Sequence, residues 1–177
     1  MPLVTFWKAA PSSGRPMINA GFTELLPGMM LGLLAVLLVV AAVIDVRTLT
    51  ISNSLNLAVA LLAPLYWLSI ALPLWPNVAV QLAVGAGVFG LLAGAFYAGL
   101  MGGGDVKLAA ALALWFSPGS TVKFLLWMSV AGGVLTIAMV VLHRLRGRAG
   151  KPEIPYGVAI AFGGFAILTQ RFLNQFA

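Results

Sequence analysis

Long apolar stretches separated by short polar breaks dominate the pattern of this chain. Residues 25–44 form a run without a charged side chain, and the stretch 48–104 carries no charge either. The segment 72–77, Leu-Pro-Leu-Trp-Pro-Asn, divides the second stretch into two helical lengths. Because a bilayer-spanning helix needs about 20 mostly apolar residues, these stretches predict three membrane spans.

The second half of the chain predicts one short helix and two long ones. Residues 105–116 form a short apolar segment that is closed by Ser-Pro-Gly. A helix of this length rises only about 18 Å, well short of the roughly 30 Å hydrocarbon core, so we expect one of its ends to lie inside the membrane. Residues 122–142 and 155–172 predict the fifth and sixth spans.

The expected fold class is therefore all-α, in a polytopic membrane protein. We expect about six transmembrane helices, the fourth of them short and preceded by a glycine-rich break. The apolar pattern predicts a single transmembrane helical domain over residues 21–177. Residues 1–20 lack a continuous apolar centre and are predicted to form an N-terminal tail.

Composition fits a membrane protein and excludes several kinds of site. The chain is 62% hydrophobic and 8% charged, with a mean hydropathy of +1.06, which is too apolar for the surface of a soluble domain. Its net charge of +6 does not indicate nucleic-acid binding, because the basic residues lie beside apolar runs. With no cysteine and one histidine, we expect neither thiol catalysis nor a metal site, and no cofactor. The expected partner of this surface is the lipid bilayer.

The distribution of basic residues predicts the topology, since Lys and Arg near the ends of spans favour the cytoplasmic side. The ends of spans one, three and five share a face with Arg47, Lys107, Arg144, Arg146, Arg148 and Lys151. The other face holds Lys8, Arg15, Lys123 and Arg171. This bias predicts that both termini lie outside the cytoplasm, and it places Asp45 and Asp105 together on the cytoplasmic face.

Two acidic residues at the ends of apolar runs are the best clue to chemistry. The chain has only four carboxylates, and two of them are Asp45, in Asp-Val-Arg, and Asp105, in Gly-Gly-Gly-Asp-Val-Lys. An acid at membrane depth is costly to keep, so its presence suggests a function. Two neighbouring carboxyl groups share one proton, so that one can activate water while the other hydrogen-bonds a peptide carbonyl. The pair therefore predicts an aspartic protease.

Three consecutive glycines, Gly102, Gly103 and Gly104, precede the second acid. Backbone without side chains can approach a partner segment closely. Irregular backbone at membrane depth is tolerated only where protein or a water-filled cavity surrounds it. We therefore predict that these glycines form an active-site loop that faces the first acid.

Three segments together resemble one protein family. Residues 102–108 resemble the Gly-x-Gly-Asp signature of membrane aspartic proteases and its continuation in the type IV prepilin peptidase family. Residues 45–53 are similar to the first aspartate motif of that family, with Ser52 where the family has proline. Residues 154–160 resemble the start of the family's last helix.

The resemblance implies that Asp45 and Asp105 are catalytic and that the substrate is a prepilin. It implies that a short basic leader is cut at the cytoplasmic face of the bacterial inner membrane. Further candidates for substrate binding or for tuning the acidity of the pair are Arg47, Lys107, Asn53, Pro155, Tyr156 and Gly157. Larger relatives carry a cysteine-tetrad segment and methylate the new N-terminus. This cysteine-free chain resembles the short form associated with tight-adherence (Flp-type) pili, in which methylation is not expected.

Other interpretations of the same residues stay open. A presenilin-like intramembrane protease would use the same two acids, although its Pro-Ala-Leu element is not found in the sequence. A proton-coupled transporter could relay protons through them. Purely structural roles are an interfacial charge beside Arg47 for the first acid and the N-cap of the fourth helix for the second.

Overall fold

The computed structural model describes the backbone of residues 17–146 and 153–176, with side chains described for 25–146 and 153–174. The described residues form six α-helices and no strand, which confirms the predicted all-α fold class. The helices are α1 (Met17–Thr48), α2 (Asn53–Ser69), α3 (Ala79–Tyr97), α4 (Gly103–Ala113), α5 (Pro118–Leu145) and α6 (Tyr156–Phe176). Most of the predicted tail lies outside the described residues, as do the basic residues Lys8, Arg15, Arg148 and Lys151.

Four of the described segments are long and apolar enough to cross a membrane. They are Leu25–Thr48, Leu74–Tyr97, Pro118–Leu145 and Tyr156–Asn174. The other two helices are shorter, since α2 has 17 residues and α4 has 11. The fourth helix is short, as the sequence predicted, but it begins at Gly103, so Gly103 and Gly104 belong to its first turn and only Gly102 precedes it.

Polar and proline residues explain where two of the helices begin, α2 and α5. Ser52 adopts an extended conformation and its side chain accepts a hydrogen bond from the Leu55 backbone N–H, which caps α2. Ser117 caps α5 in the same way, and Pro118 occupies the first turn, where a missing N–H costs nothing. The Ser-Pro-Gly that closes the short apolar segment is thus also the start of the next helix.

Helix α4 lies at the centre of the bundle, where it packs against α2, α3 and α6. Its apolar side chains Leu108 and Leu112 are fully buried, together with Trp115 and Phe116 just beyond its end. Many large apolar side chains of the longer helices point outward, for example Leu91 and Val134. This arrangement suits a protein whose outer surface contacts lipid.

The C-terminal end of α4 is buried, and side chains from three other helices satisfy its backbone. Gln81 Nε2 donates to the carbonyl oxygens of Ala113 and Phe116, each at 2.6 Å. Trp67 Nε1 donates to Leu114 O at 2.9 Å, and Thr121 Oγ1 donates to Phe116 O at 3.2 Å. The last carbonyls of a helix have no partner within the helix, so these side chains take the place of water. They explain how an 11-residue helix can end in the interior.

Candidate active site

The first acid is held between the end of α1 and the start of α6. Asp45 lies three residues before the end of α1 and is 2% exposed. Its Oδ2 accepts a hydrogen bond of 2.6 Å from the backbone N–H of Gly157, the second residue of α6. The first N–H groups of a helix lack partners within the helix and carry partial positive charge. The start of α6 therefore stabilises and orients the Asp45 carboxylate.

The close approach at this point requires a glycine. A Cβ atom added to Gly157 would lie 2.8 Å from Asp45 Oδ2 and 2.9 Å from its Cβ and Cγ. Pro155, which is buried, comes just before α6. Tyr156 is half-buried, and its hydroxyl lies 3.4 Å from Thr136 Oγ1 on α5. Of these three sequence-predicted residues, only Gly157 hydrogen-bonds to the first acid.

The second acid lies in the first turn of α4. Asp105 is the third residue of this helix and is 7% exposed. The N-cap is Gly102, so the structural alternative in which Asp105 itself caps the helix is wrong. Its carboxylate instead interacts with the Gly102 backbone amide, as acids at the third helical position often do. Its other oxygen, Oδ1, is buried and has no hydrogen-bond partner among the described residues.

The glycines bring the start of α4 against the chain that follows the first acid. A Cβ on Gly104 would lie 2.8 Å from the carbonyl oxygen of Ile51, and the carbonyl of Gly104 accepts a hydrogen bond of 3.0 Å from Asn56 Nδ2. A Cβ on Gly103 would lie 3.3 Å from the ring of Phe96. The absence of side chains thus lets the two acid-bearing segments pack backbone against backbone.

As a result, Asp45 lies close enough for its charge to act on Asp105. Neither cation predicted nearby neutralises the pair. Arg47 is exposed, and Lys107 Nζ donates a 2.8 Å hydrogen bond to Asn53 Oδ1 at the start of α2. Two carboxyl groups in one buried site cannot both ionise easily, so the arrangement can supply one acid and one base.

Sequence reasoning missed Asn56, which links α2 to the first turn of α4 through its hydrogen bond to Gly104. This side chain is 5% exposed, and its Oδ1 has no hydrogen-bond partner among the described residues. The sequence does indicate this residue, because Asn56 is an amide within an apolar run, three residues after Asn53. A buried polar side chain normally has a hydrogen-bonding reason to be there.

Comparison with known proteins places the chain in a family. Residues 32–137, more than half of the chain, match the sequence model of the type IV leader peptidase family. Both acids lie inside the matched range, whereas Gly157 lies beyond it. Searches of curated proteins and of solved structures found no match. The chain belongs to the type IV leader peptidase family.

Proposed function

We propose that this chain is an aspartic endopeptidase of the bacterial inner membrane that removes the leader of Flp-type prepilins at the cytoplasmic face. The observation that carries the proposal is the burial of Asp45 and Asp105, 60 residues apart in sequence, in segments that pack together where Gly104 meets Ile51, so that the charge of one acid acts on the other. Membership of the leader peptidase family supports the reaction and the substrate class. The absence of cysteine supports the short, Flp-type form.

The pair performs the hydrolysis with one shared proton. The ionised carboxylate takes a proton from water while the water oxygen bonds to the scissile carbonyl carbon. The protonated carboxyl group donates its hydrogen bond to the carbonyl oxygen, on which negative charge develops. Proton transfer to the leaving nitrogen then breaks the C–N bond, which releases the leader with a new carboxyl end and the pilin with a new N-terminus.

The surroundings of the two acids serve this chemistry in different ways. The Gly157 N–H fixes the position of Asp45 through the 2.6 Å hydrogen bond. The buried Oδ1 of Asp105 is available to bond water or the substrate carbonyl, since no described residue occupies it. Beside it, the exposed Gly102 leaves room for an extended peptide backbone to approach.

The basic residues at this end of the bundle support a cytoplasmic site. Arg47 follows the first acid, Lys107 follows the second, and Arg144 and Arg146 end α5. Positive side chains at the ends of spans favour the cytoplasmic side of the membrane. A leader cut at that face would never need to cross the bilayer.

The first test is co-expression of the chain with an Flp-type prepilin, followed by mass spectrometry of the pilin N-terminus. Asp45→Asn and Asp105→Asn each keep the side-chain shape but replace one of the two carboxyl groups that share the proton. Each variant is therefore expected to leave the precursor uncut. Glu153→Gln is the matched control, because it removes an exposed carboxylate and should process normally. Normal processing by either aspartate variant would refute the two-acid mechanism.

The position of the cut distinguishes the substrates. A product that begins directly after the leader, from an Flp-type prepilin, supports the proposal. Cleavage in the middle of a transmembrane helix, with intact leaders, would instead indicate a presenilin-like protease. Proton flux in proteoliposomes that both aspartate variants abolish, without proteolysis of any substrate, would indicate a transporter.

A further inference from the structure

A groove of about 450 Å³ runs along the outside of the bundle between α2 and α3, with α4 as its floor. Its polar end is formed by Asn53, Asn56 and Lys107, and the rest of its wall is almost entirely apolar. Large side chains along it, among them Leu57 and Phe89, are 57% and 46% exposed. The groove therefore has the polarity of an amphiphile, with one charged end and a long apolar part.

The polar end offers one cation and one unused acceptor. Lys107 is exposed and its ammonium group has three N–H donors, of which one bonds to Asn53 Oδ1 at 2.8 Å. Asn56 donates its amide N–H to the carbonyl of Gly104, which fixes its Oδ1 as the free end. That oxygen is buried, without a hydrogen-bond partner among the described residues, in a side chain that is 95% buried.

The charge of the groove selects a negatively charged ligand. None of its lining residues is acidic, and Asp105, although near in sequence, is two positions from Lys107 and so points to another side of α4. The Lys107 ammonium group has no carboxylate partner among the described residues, and such a group at a membrane edge attracts anionic lipid headgroups.

We propose that this groove binds one anionic phospholipid with a hydroxyl-bearing headgroup, such as phosphatidylglycerol. The phosphate accepts hydrogen bonds from Lys107 Nζ, and a headgroup hydroxyl donates to Asn56 Oδ1. One acyl chain lies between α2 and α3 on the apolar floor of α4. Because Asn56 also donates a hydrogen bond to the Gly104 carbonyl, the lipid contacts a residue that supports the first turn of α4, where Asp105 lies, without entering the site itself.

The binding test is native mass spectrometry of the full chain released from vesicles of equal parts phosphatidylglycerol and phosphatidylcholine. The wild type is expected to retain one phosphatidylglycerol. Lys107→Gln should lower its retention about fivefold, which corresponds to roughly 1 kcal/mol for one basic residue at a headgroup. Ala86→Trp, which fills the groove from an exposed position, should abolish retention.

Two matched controls use the same substitutions outside the groove. Lys123→Gln removes an exposed lysine at the start of α5, and Ala83→Trp adds the same bulk at another exposed position of α3. Both should retain the lipid as the wild type does. Equal retention in all five proteins, or equal retention of phosphatidylcholine, would overturn the proposal, because either result describes ordinary surrounding lipid.

A crosslinking experiment identifies the occupant directly. A photoreactive benzophenone side chain in place of Phe89, whose ring already lines the groove, should form adducts with phospholipid in vesicles. Adducts with a second copy of the chain, or with a co-expressed prepilin, in place of lipid would overturn the lipid assignment. Neither readout depends on cleavage, so failure here and failure of the proposed peptidase function are separate results.

Discussion

The two ends of α4 differ in whether their buried backbone carbonyls and carboxylate oxygens have hydrogen-bond partners. At the C-terminal end, three backbone carbonyls accept hydrogen bonds from side chains of the neighbouring helices. At the N-terminal end, the buried Oδ1 of Asp105 has no such partner among the described residues, and the charge of Asp45 lies within reach. Both ends are enclosed by the same bundle, so burial alone does not explain the difference.

The contrast separates the polar groups that anchor α4 from those that the proposed reaction would use. A buried polar group that lacks a partner costs free energy, and proteins satisfy nearly all of them. At the C-terminal end of α4, the backbone carbonyls have partners and the helix is anchored, although Oε1 of Gln81, which donates two of these bonds, has no partner among the described residues. At the N-terminal end, one carboxylate oxygen has no partner among the described residues, and the charge of a second carboxylate acts on this acid, which is the arrangement that the proposed two-acid hydrolysis needs.

The largest effect on this contrast is expected from a substitution at Gly157, the residue whose backbone N–H holds Asp45 in place. Gly157→Ala places a Cβ within 2.9 Å of that carboxylate and must displace it. Because small misplacements of a reacting group are costly, we expect kcat/KM for prepilin cleavage to fall about a hundredfold. Processing kinetics with purified enzyme and a prepilin peptide measure the loss.

Stability distinguishes displacement of the acid from unfolding. Alanine is a better helix former than glycine, so any local strain is partly offset and the melting temperature should change little. Gly90→Ala is the control, since a Cβ there meets nothing within 4 Å. A Gly157→Ala enzyme with wild-type kinetics would show that the position of Asp45 does not depend on this close contact.

The next effect concerns the C-terminal end of α4, where side chains donate hydrogen bonds to the backbone carbonyls. Gln81→Leu removes two hydrogen bonds to buried carbonyls, and it also removes the unpartnered Oε1 of this side chain. We expect a net destabilisation of about 2 kcal/mol, with the loss of two bonds outweighing the relief of one oxygen. Unfolding in detergent measures it, and cleavage per folded molecule should stay near the wild-type value.

The control for this change is a glutamine outside the core. Gln170→Leu alters an exposed residue of α6 and should leave the unfolding midpoint nearly unchanged. If Gln81→Leu instead lowered cleavage per folded molecule, a change at the C-terminal end of α4 would affect the site at its N-terminal end. The distinction between an anchoring end and a reactive end would then fail.

The number and order of the helices could be predicted from sequence because each apolar run has a length that only a few structures accommodate. The residues at which the helices begin and end were harder to predict from sequence. Helix α1 begins at Met17, well before the apolar run at residue 25, because polar residues such as Asn19 and Thr23 do not stop a helix. Hydropathy marks the part of a helix that suits lipid, and it carries no information on where the hydrogen-bonded backbone ends.

The acids of the candidate site could be found because charged residues are rare in this chain, and the family resemblance added Gly157 and Asn53 as candidates, but the contacts that these and the other supporting residues make could not be predicted. Asn56 and Gln81 are amides within apolar runs, and their role depends on which neighbour each helix face meets. The partner of Lys107, Asn53, is 54 residues away. Among three consecutive glycines, spacing alone could not identify Gly102 as the N-cap. All of these depend on packing between distant segments, which periodicity does not encode.

The smallest expected effect tests the loop between α1 and α2, which packs against Gly104 at the start of α4. Ser52 stands where the family has proline, and its φ of −67° is close to the angle that a proline ring imposes. Ser52→Ala loses the side-chain cap of α2 and should cost about 1 kcal/mol. Ser52→Pro loses the same cap but restricts the unfolded chain, which commonly returns about 0.4–1 kcal/mol where the native angle is compatible. We therefore expect the proline variant to be more stable than the alanine variant in the same detergent unfolding assay, with both variants retaining cleavage.

The opposite order would contradict this expectation. If the proline variant were the less stable of the two, the backbone conformation at position 52 would not be compatible with the proline that the family has there.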